Sequence, residues 1–206
     1  HKPRREGSAG AYIMEQMIST ATELGVTIQN ESRIGGGLPT ETLTNFTKME
    51  AYGEIVAEVF RDSNYTLFTE FGQWVHAEAG FAISQIEYVL APNKLFIHLG
   101  ADFFMRDAYT KPRSFPLSIW DADGLLVEGE EEPMDIAGPL CFAGDYLVHG
   151  TPLPSVVKEG DYLFIDSTGA NTYALWSRHC SRTVPATWAW DGNSMVKWSH
   201  RSSIGF

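Results

Sequence analysis

The chain has 206 residues, 44% of them hydrophobic and 13% aromatic, and a formal net charge of −11. That length and composition describe a folded protein of one large domain or two small ones, and they exclude a disordered chain. The negative charge, with no Lys/Arg-rich run, argues against binding a nucleic-acid backbone, and no apolar run reaches the roughly 18 residues of a membrane helix. Two cysteines, Cys141 and Cys180, are too few for a disulfide framework, so a reducing, cytoplasmic setting is expected. Neither has a partner at zinc spacing. His179 and Cys180, read as neighbours on an extended strand, are poorly placed to share an ion, so no metal is expected. The chain opens HKPRREGSAG, without a methionine, which reads as a processed product or a piece of something longer.

In chain order, AYIMEQMISTATELGV (11–26) places Ile13, Met17, Ile18, Ala21 and Leu24 at helical spacing, with Gly25 as the stop. A strand-like IQNESRI runs into Gly35, Gly36 and Gly37. A helix over 40–60 follows, capped by Thr40 or Thr44, with Phe46, Met49, Ile55, Val56 and Val59 or Phe60 on one side. YTLFTEFG (65–72) is a strand. WVHAEAGFAISQIEYVLA (74–91) is ambiguous, a short helix that could turn into a strand. Helix and strand thus alternate over 1–91, the rhythm of an α/β unit with parallel strands. After Pro92 the texture changes. KLFIHLGAD, PLSIWDADG, GDYLFIDSTGA, TYALWSRH and TVPATWAWDGNSMVKW are short β-branched or aromatic runs, and DADG and WDGN read as hairpin turns. Residues 92–206 are therefore expected to form an antiparallel β domain, a small barrel or sandwich, with VEGEEEPMD (127–135) as an exposed connection.

Three places carry residues suited to chemistry. The glycine triplet lies between a strand and a helix, where backbone N–H groups can approach a phosphate, although a tight βα turn would use the same residues. Glu70 in TEFGQ ends a strand, the edge where α/β sheets put ligand contacts, although a surface acid is an equal reading. GPLCFAGD (138–145) sets Cys141 among glycines in a loop and ends on Asp145, and STGANTYALWSRHCSR follows.

In that order, these motifs resemble the pyridoxal-phosphate decarboxylases that include diaminopimelate and ornithine decarboxylases. The resemblance runs from about Ala11 to Pro185 and matches the C-terminal half of such an enzyme. It implies the C-terminal part of an α/β (TIM-like) barrel followed by an antiparallel β domain, with active sites shared across a homodimer. By the same resemblance, Gly35, Gly36 and Gly37 match the turn that holds the cofactor phosphate. Glu70 matches the acid that pairs with the pyridine nitrogen and keeps it protonated. Gly72 matches a phosphate contact, and Gln73 stands where the family has an arginine.

The family's C-E-S-G-D reads C-F-A-G-D here. Cys141 matches the thiol that returns a proton after carbon dioxide leaves, Phe142 replaces the acid that recognises the distal amine, and Asp145 is kept in the substrate-binding loop. Arg106 matches a substrate-contacting arginine, with Thr110 in place of the tyrosine four residues on. The family's phosphate tyrosine falls on Asn171, and Tyr173 is expected to substitute from the same strand face, displaced by about 7 Å. The cofactor-binding lysine belongs to the family's N-terminal half. Neither Lys48 nor Lys94 has a matching context. Cys180, in a strand-like run, reads as a small apolar filler. The expected function is thus part of an amino-acid decarboxylase, with pyridoxal 5'-phosphate as cofactor and a second copy or an N-terminal-half chain as partner. A catalytically inactive binding or regulatory relative is the alternative.

Overall fold

The computed structural model describes residues 9–25, 31–34, 46–104 and 114–201. Gly35, Gly36, Gly37, Thr40, Thr44, Arg106 and Thr110 lie outside them. The chain divides into two compact units, residues 1–77 and 78–206. That division falls earlier than the change of texture at Pro92, because the ambiguous 74–91 segment holds a strand of the second unit.

The first unit contains α1 (Ala9–Glu23), β1 (Glu31–Ile34), α2 (Phe46–Val59), β2 (Thr66–Thr69) and the short α3 (Gly72–His76). β1 and β2 pair in parallel, with Ile34 opposite Thr69, as the helix–strand alternation predicts. Phe60 packs with Met14, Ile18, Val56, Val59 and Leu67. The buried stripe of α1 therefore runs through Met14 and Ile18. Ile13, Met17 and Leu24, expected on that stripe, are 51%, 67% and 74% exposed. Helical spacing alone cannot say which edge of an apolar face finds a partner.

The second unit is a six-stranded, mostly antiparallel curled sheet in the order β5-β8-β3-β4-β6-β7, with a separate β9–β10 hairpin. Its strands are β3 (Ala82–Leu90), β4 (Lys94–Ile97), β5 (Leu117–Trp120), β6 (Glu131–Ala137), β7 (Tyr146–Pro154), β8 (Tyr162–Ile165), β9 (Thr187–Trp190) and β10 (Met195–Ser199). The first half of β3 pairs with β8 and its second half with β4, and a register shift interrupts the β4 ladder between Ile86 and Tyr88. Such irregularities raise local twist, which lets one strand serve two neighbours. Alternate residues turn inward from each strand, so Ile86, Leu95, Ile97, Ile136, Leu163 and Ile165 are buried by 98% or more.

The structure corrects three expectations for this half. VEGEEEPMD is not simply a connection: from Glu131 it is β6, because Met134, Ile136 and Ala137 reach the core while the three residues before them stay exposed. β6 runs parallel to β4, so the sheet is not purely antiparallel. TYALWSRH is not a strand; it is two 3-10 turns, Tyr173–Leu175 and His179–Ser181. β7, interrupted by Gly150 and Pro152, escaped the sequence reading because breakers mask its Leu147 and Leu153.

Candidate functional site

In the first unit, Glu70 follows directly on β2 and faces the carboxyl end of β1. Its Oε1 lies 3.4 Å from Arg33 Nη1, and both side chains are more than half exposed. The Arg33 guanidinium also sits 5.4 Å from the centre of the Phe68 ring. Gly72 N–H donates to the Glu70 carbonyl at 2.9 Å and starts α3, whose second residue is Gln73. The strand end thus presents a carboxylate, a compact turn and a helix start together.

In the second unit, Asp145 closes the 138–145 loop. Its carboxylate is buried and accepts from Ala101 N–H at 2.5 Å and Leu140 N–H at 2.6 Å. Burial pushes this carboxyl above its ordinary range, against those two donors. The carboxylate fills the space where side chains at Gly100 and Gly138 would stand: a Cβ on Gly138 would be 2.6 Å from Asp145 Cγ, and one on Gly100 would be 2.7 Å from Oδ2. Both glycines are required by this close approach. Asp145 is therefore committed to backbone donors inside the protein, a different placement from the substrate contact expected of it. Beside it, Asp102 is fully buried and accepts from Arg182 Nε at 2.8 Å, while Arg182 Nη2 donates to the His98 carbonyl at 2.6 Å.

The clamped loop carries Cys141 and Phe142. Cys141 is exposed, and its Sγ lies 3.4 Å from Cys180 Sγ. The hydrogen bond to the Cys180 thiol pushes the Cys141 thiol above its ordinary value, which keeps the proton on sulfur at neutral pH. Cys180 is thus no apolar filler: it is exposed, in a turn, at φ 55°. His179 belongs to the same turn, and one ligand atom from each of Cys141, His179 and Cys180 lies within 4.8 Å of the others. Phe142 is half-buried with its ring centre 6.3 Å from that of His179, and a Cβ on Gly144 would meet Phe142 Cζ at 2.7 Å.

A cleft of about 940 Å³ in the same unit is lined by Gly80, Thr168, Gly169, Asn171, Tyr173 and Trp188, among others. Backbone meets backbone at its floor: Thr168 N–H donates to the Gly80 carbonyl at 2.8 Å, and a Cβ on Gly80 would be 2.8 Å from Gly169 Cα. Tyr173 does line a cleft, but from a 3-10 turn, so the same-face strand argument for it does not hold. The sequence reading missed Cys180 and the Asp102–Arg182 pair. No local pattern marks either one, since the paired residues are 39 and 80 positions apart.

Residues 74–169 match the model of the pyridoxal-dependent decarboxylase C-terminal sheet domain. The chain is 33% identical to diaminopimelate decarboxylase of Staphylococcus aureus over 122 residues, 57% of this chain and 28% of that enzyme. It is 26% identical to diaminopimelate decarboxylase of Zymomonas mobilis over 203 residues, 95% of this chain and 46% of that enzyme. A crystal structure of Helicobacter pylori diaminopimelate decarboxylase complexed with L-lysine superposes with a TM-score of 0.71 at 19% identity, covering 94% of this chain and 47% of that one. The chain therefore spans less than half the length of these relatives. Residues 74–169 thus match the C-terminal sheet domain of pyridoxal-dependent decarboxylases, and nearly the whole chain is similar to a part of diaminopimelate decarboxylases.

Proposed function

We propose that the chain is part of a pyridoxal-phosphate-dependent amino-acid decarboxylase in which Cys141 delivers the proton that replaces the departing carboxyl group. The observation that carries this reading is the Cys141 thiol itself: exposed on a loop clamped by Asp145, with the Cys180 sulfur 3.4 Å away. A proton donor has to be accessible, and an exposed thiol on an anchored loop supports that reading.

The residues at the β1–β2 edge suit the cofactor. A carboxylate at Glu70 complements a protonated pyridine nitrogen, and by the family resemblance Gly72 and the glycine triplet lie against the phosphate. Bound there, pyridoxal phosphate supplies the electron sink that makes loss of carbon dioxide feasible. Gln73 adds to the cofactor contacts of the first unit, and Tyr173 is a separate candidate contact in the cleft of the second. Arg106 and Phe142 contact the amino-acid substrate, and Asp145 positions the loop that presents Cys141. Phe142 and Gln73 in place of an acid and an arginine favour a substrate with a less charged distal end. The first unit is the end of a TIM-like barrel. The remaining barrel strands, the cofactor's lysine and the neighbouring active site come from other sequence or a second copy.

The test is carbon dioxide release from a panel of amino acids by the cofactor-loaded enzyme that contains this chain. Cys141→Ala should lower turnover or divert products by about 10²–10⁴-fold, the range for losing a positioned proton donor. Full turnover and unchanged products in Cys141→Ala would remove the role assigned to it.

A further inference from the structure

The geometry points to a binding site for a thiophilic cation of the Zn²⁺ class, built from Cys141, Cys180 and His179. The two sulfurs are 3.4 Å apart, and the three donor atoms all lie within 4.8 Å of one another. A tetrahedral zinc ion, with bonds of about 2.3 Å to sulfur and 2.0–2.1 Å to nitrogen, holds its donors roughly 3.5–4 Å apart. Only small side-chain adjustments separate the present spacing from that one. The donor set, two sulfurs and an imidazole with no carboxylate, selects soft or borderline ions over Ca²⁺ or Mg²⁺.

Local structure supports a site rather than a chance meeting. The donors come from two separate segments, each fixed by its own bonds. Cys141 lies in the loop anchored by Asp145, directly after the bound Leu140 N–H, and the 179–181 turn is followed by Arg182, whose guanidinium is bound to Asp102. Cys180 and Ser181 both hold left-handed backbone conformations, at φ 55° and 54°, which side-chain-bearing residues adopt rarely. The turn places the His179 ring near that of Phe142, with centres 6.3 Å apart. Binding exchanges two thiol protons for one dication: both sulfurs coordinate as thiolates, the imidazole binds through a neutral nitrogen, and two protons pass to solvent. The fourth position stays open to water or a ligand.

One consequence rests on the proposed function, while the site itself does not. Occupancy would take the proton and the sulfur lone pair from Cys141, so the cation would silence the proton donor.

The experiment reads the metal and not decarboxylation, so the two ideas fail separately. The chain is reduced with a phosphine, stripped by a chelator, and titrated with Zn²⁺ and with Co²⁺. One ion per chain, tetrahedral cobalt bands with thiolate-to-metal charge transfer, and two released protons are expected. Cys141→Ser and Cys180→Ser should each remove the charge-transfer signature of a two-thiolate site and weaken zinc binding by more than the roughly 10–100-fold that an outer-shell loss costs. His179→Gln should keep the sulfur bands at lower affinity. Should a cysteine variant misfold, Zn²⁺ should still protect both thiols of the unaltered chain from alkylation. Failure of the reduced chain to take up zinc stoichiometrically would overturn the site. So would uptake unchanged in the Cys141→Ser/Cys180→Ser double variant, or no protection of the thiols.

Discussion

The two units bury their apolar residues very differently. Fifteen buried hydrophobic side chains form one cluster in the second unit. In the first, the described apolar cluster has Phe60 as its buried member, with half-buried residues around it. The difference follows from topology. The mostly antiparallel sheet pairs its six strands with one another and curls over one face, so the described residues of 78–206 supply both the ladder and its core. Two parallel strands with crossover helices are a small piece of a layered design whose helices need more strands to cover. Ile13, Met17, Leu24 and Phe68, all at least 40% exposed, are the measure of what this unit leaves uncovered.

Substitutions in the two units should separate sharply. Ile136→Ala removes a fully buried side chain from the six-stranded sheet and should cost about 2–5 kcal/mol, read as a lower denaturant midpoint. A loss below about 1 kcal/mol would mean that this core is looser than its burial implies. Next in size is Arg182→Ala, which leaves the fully buried Asp102 carboxylate without its cation. A cost of about 3 kcal/mol is expected, at the low end for a broken buried pair because Arg182 is itself 28% exposed. Asp102→Asn combined with Arg182→Met should recover part of it.

A smaller effect depends on pH. The Gly150 N–H at 3.0 Å and His149 hold the Asp135 carboxyl below its ordinary value. A depressed folded-state pKa stabilises the protein above the unfolded value, and that contribution is lost as pH falls through the folded value. Asp135→Asn should therefore destabilise at neutral pH by less than about 1 kcal/mol, given its partial exposure, and the gap to the parent should close in acid. A gap that widens in acid would reverse the assignment.

The smallest stability effects should come from the first unit's exposed face. Met17→Ser and Leu24→Ser should change folding stability by no more than about 0.5 kcal/mol. If that face is covered by another chain, the same changes should shift the sedimentation profile toward smaller species. A profile already monomeric in the parent, with a cooperative melt, would show that the unit stands without a partner.

Much of this protein is present in its linear sequence. The βα rhythm of the first unit, the strands at Lys94, Leu117, Tyr162 and Thr187, and the order of the decarboxylase motifs follow from periodicity, turn residues and short local patterns. Those signals act over a few residues, where backbone propensity and side-chain spacing decide the outcome. Tertiary structure decided the rest. Which edge of α1 is buried depended on Phe60 and Leu67, the strand at Glu131–Ala137 on its neighbours at β4 and β7, and the fate of Asp145 on the backbone of Ala101. The meeting of Cys141 with Cys180, and of Asp102 with Arg182, joins residues 39 and 80 positions apart. Each of these contacts comes from the folding of distant segments onto one another, and a lone cysteine or aspartate carries the same local signal whether or not its partner arrives.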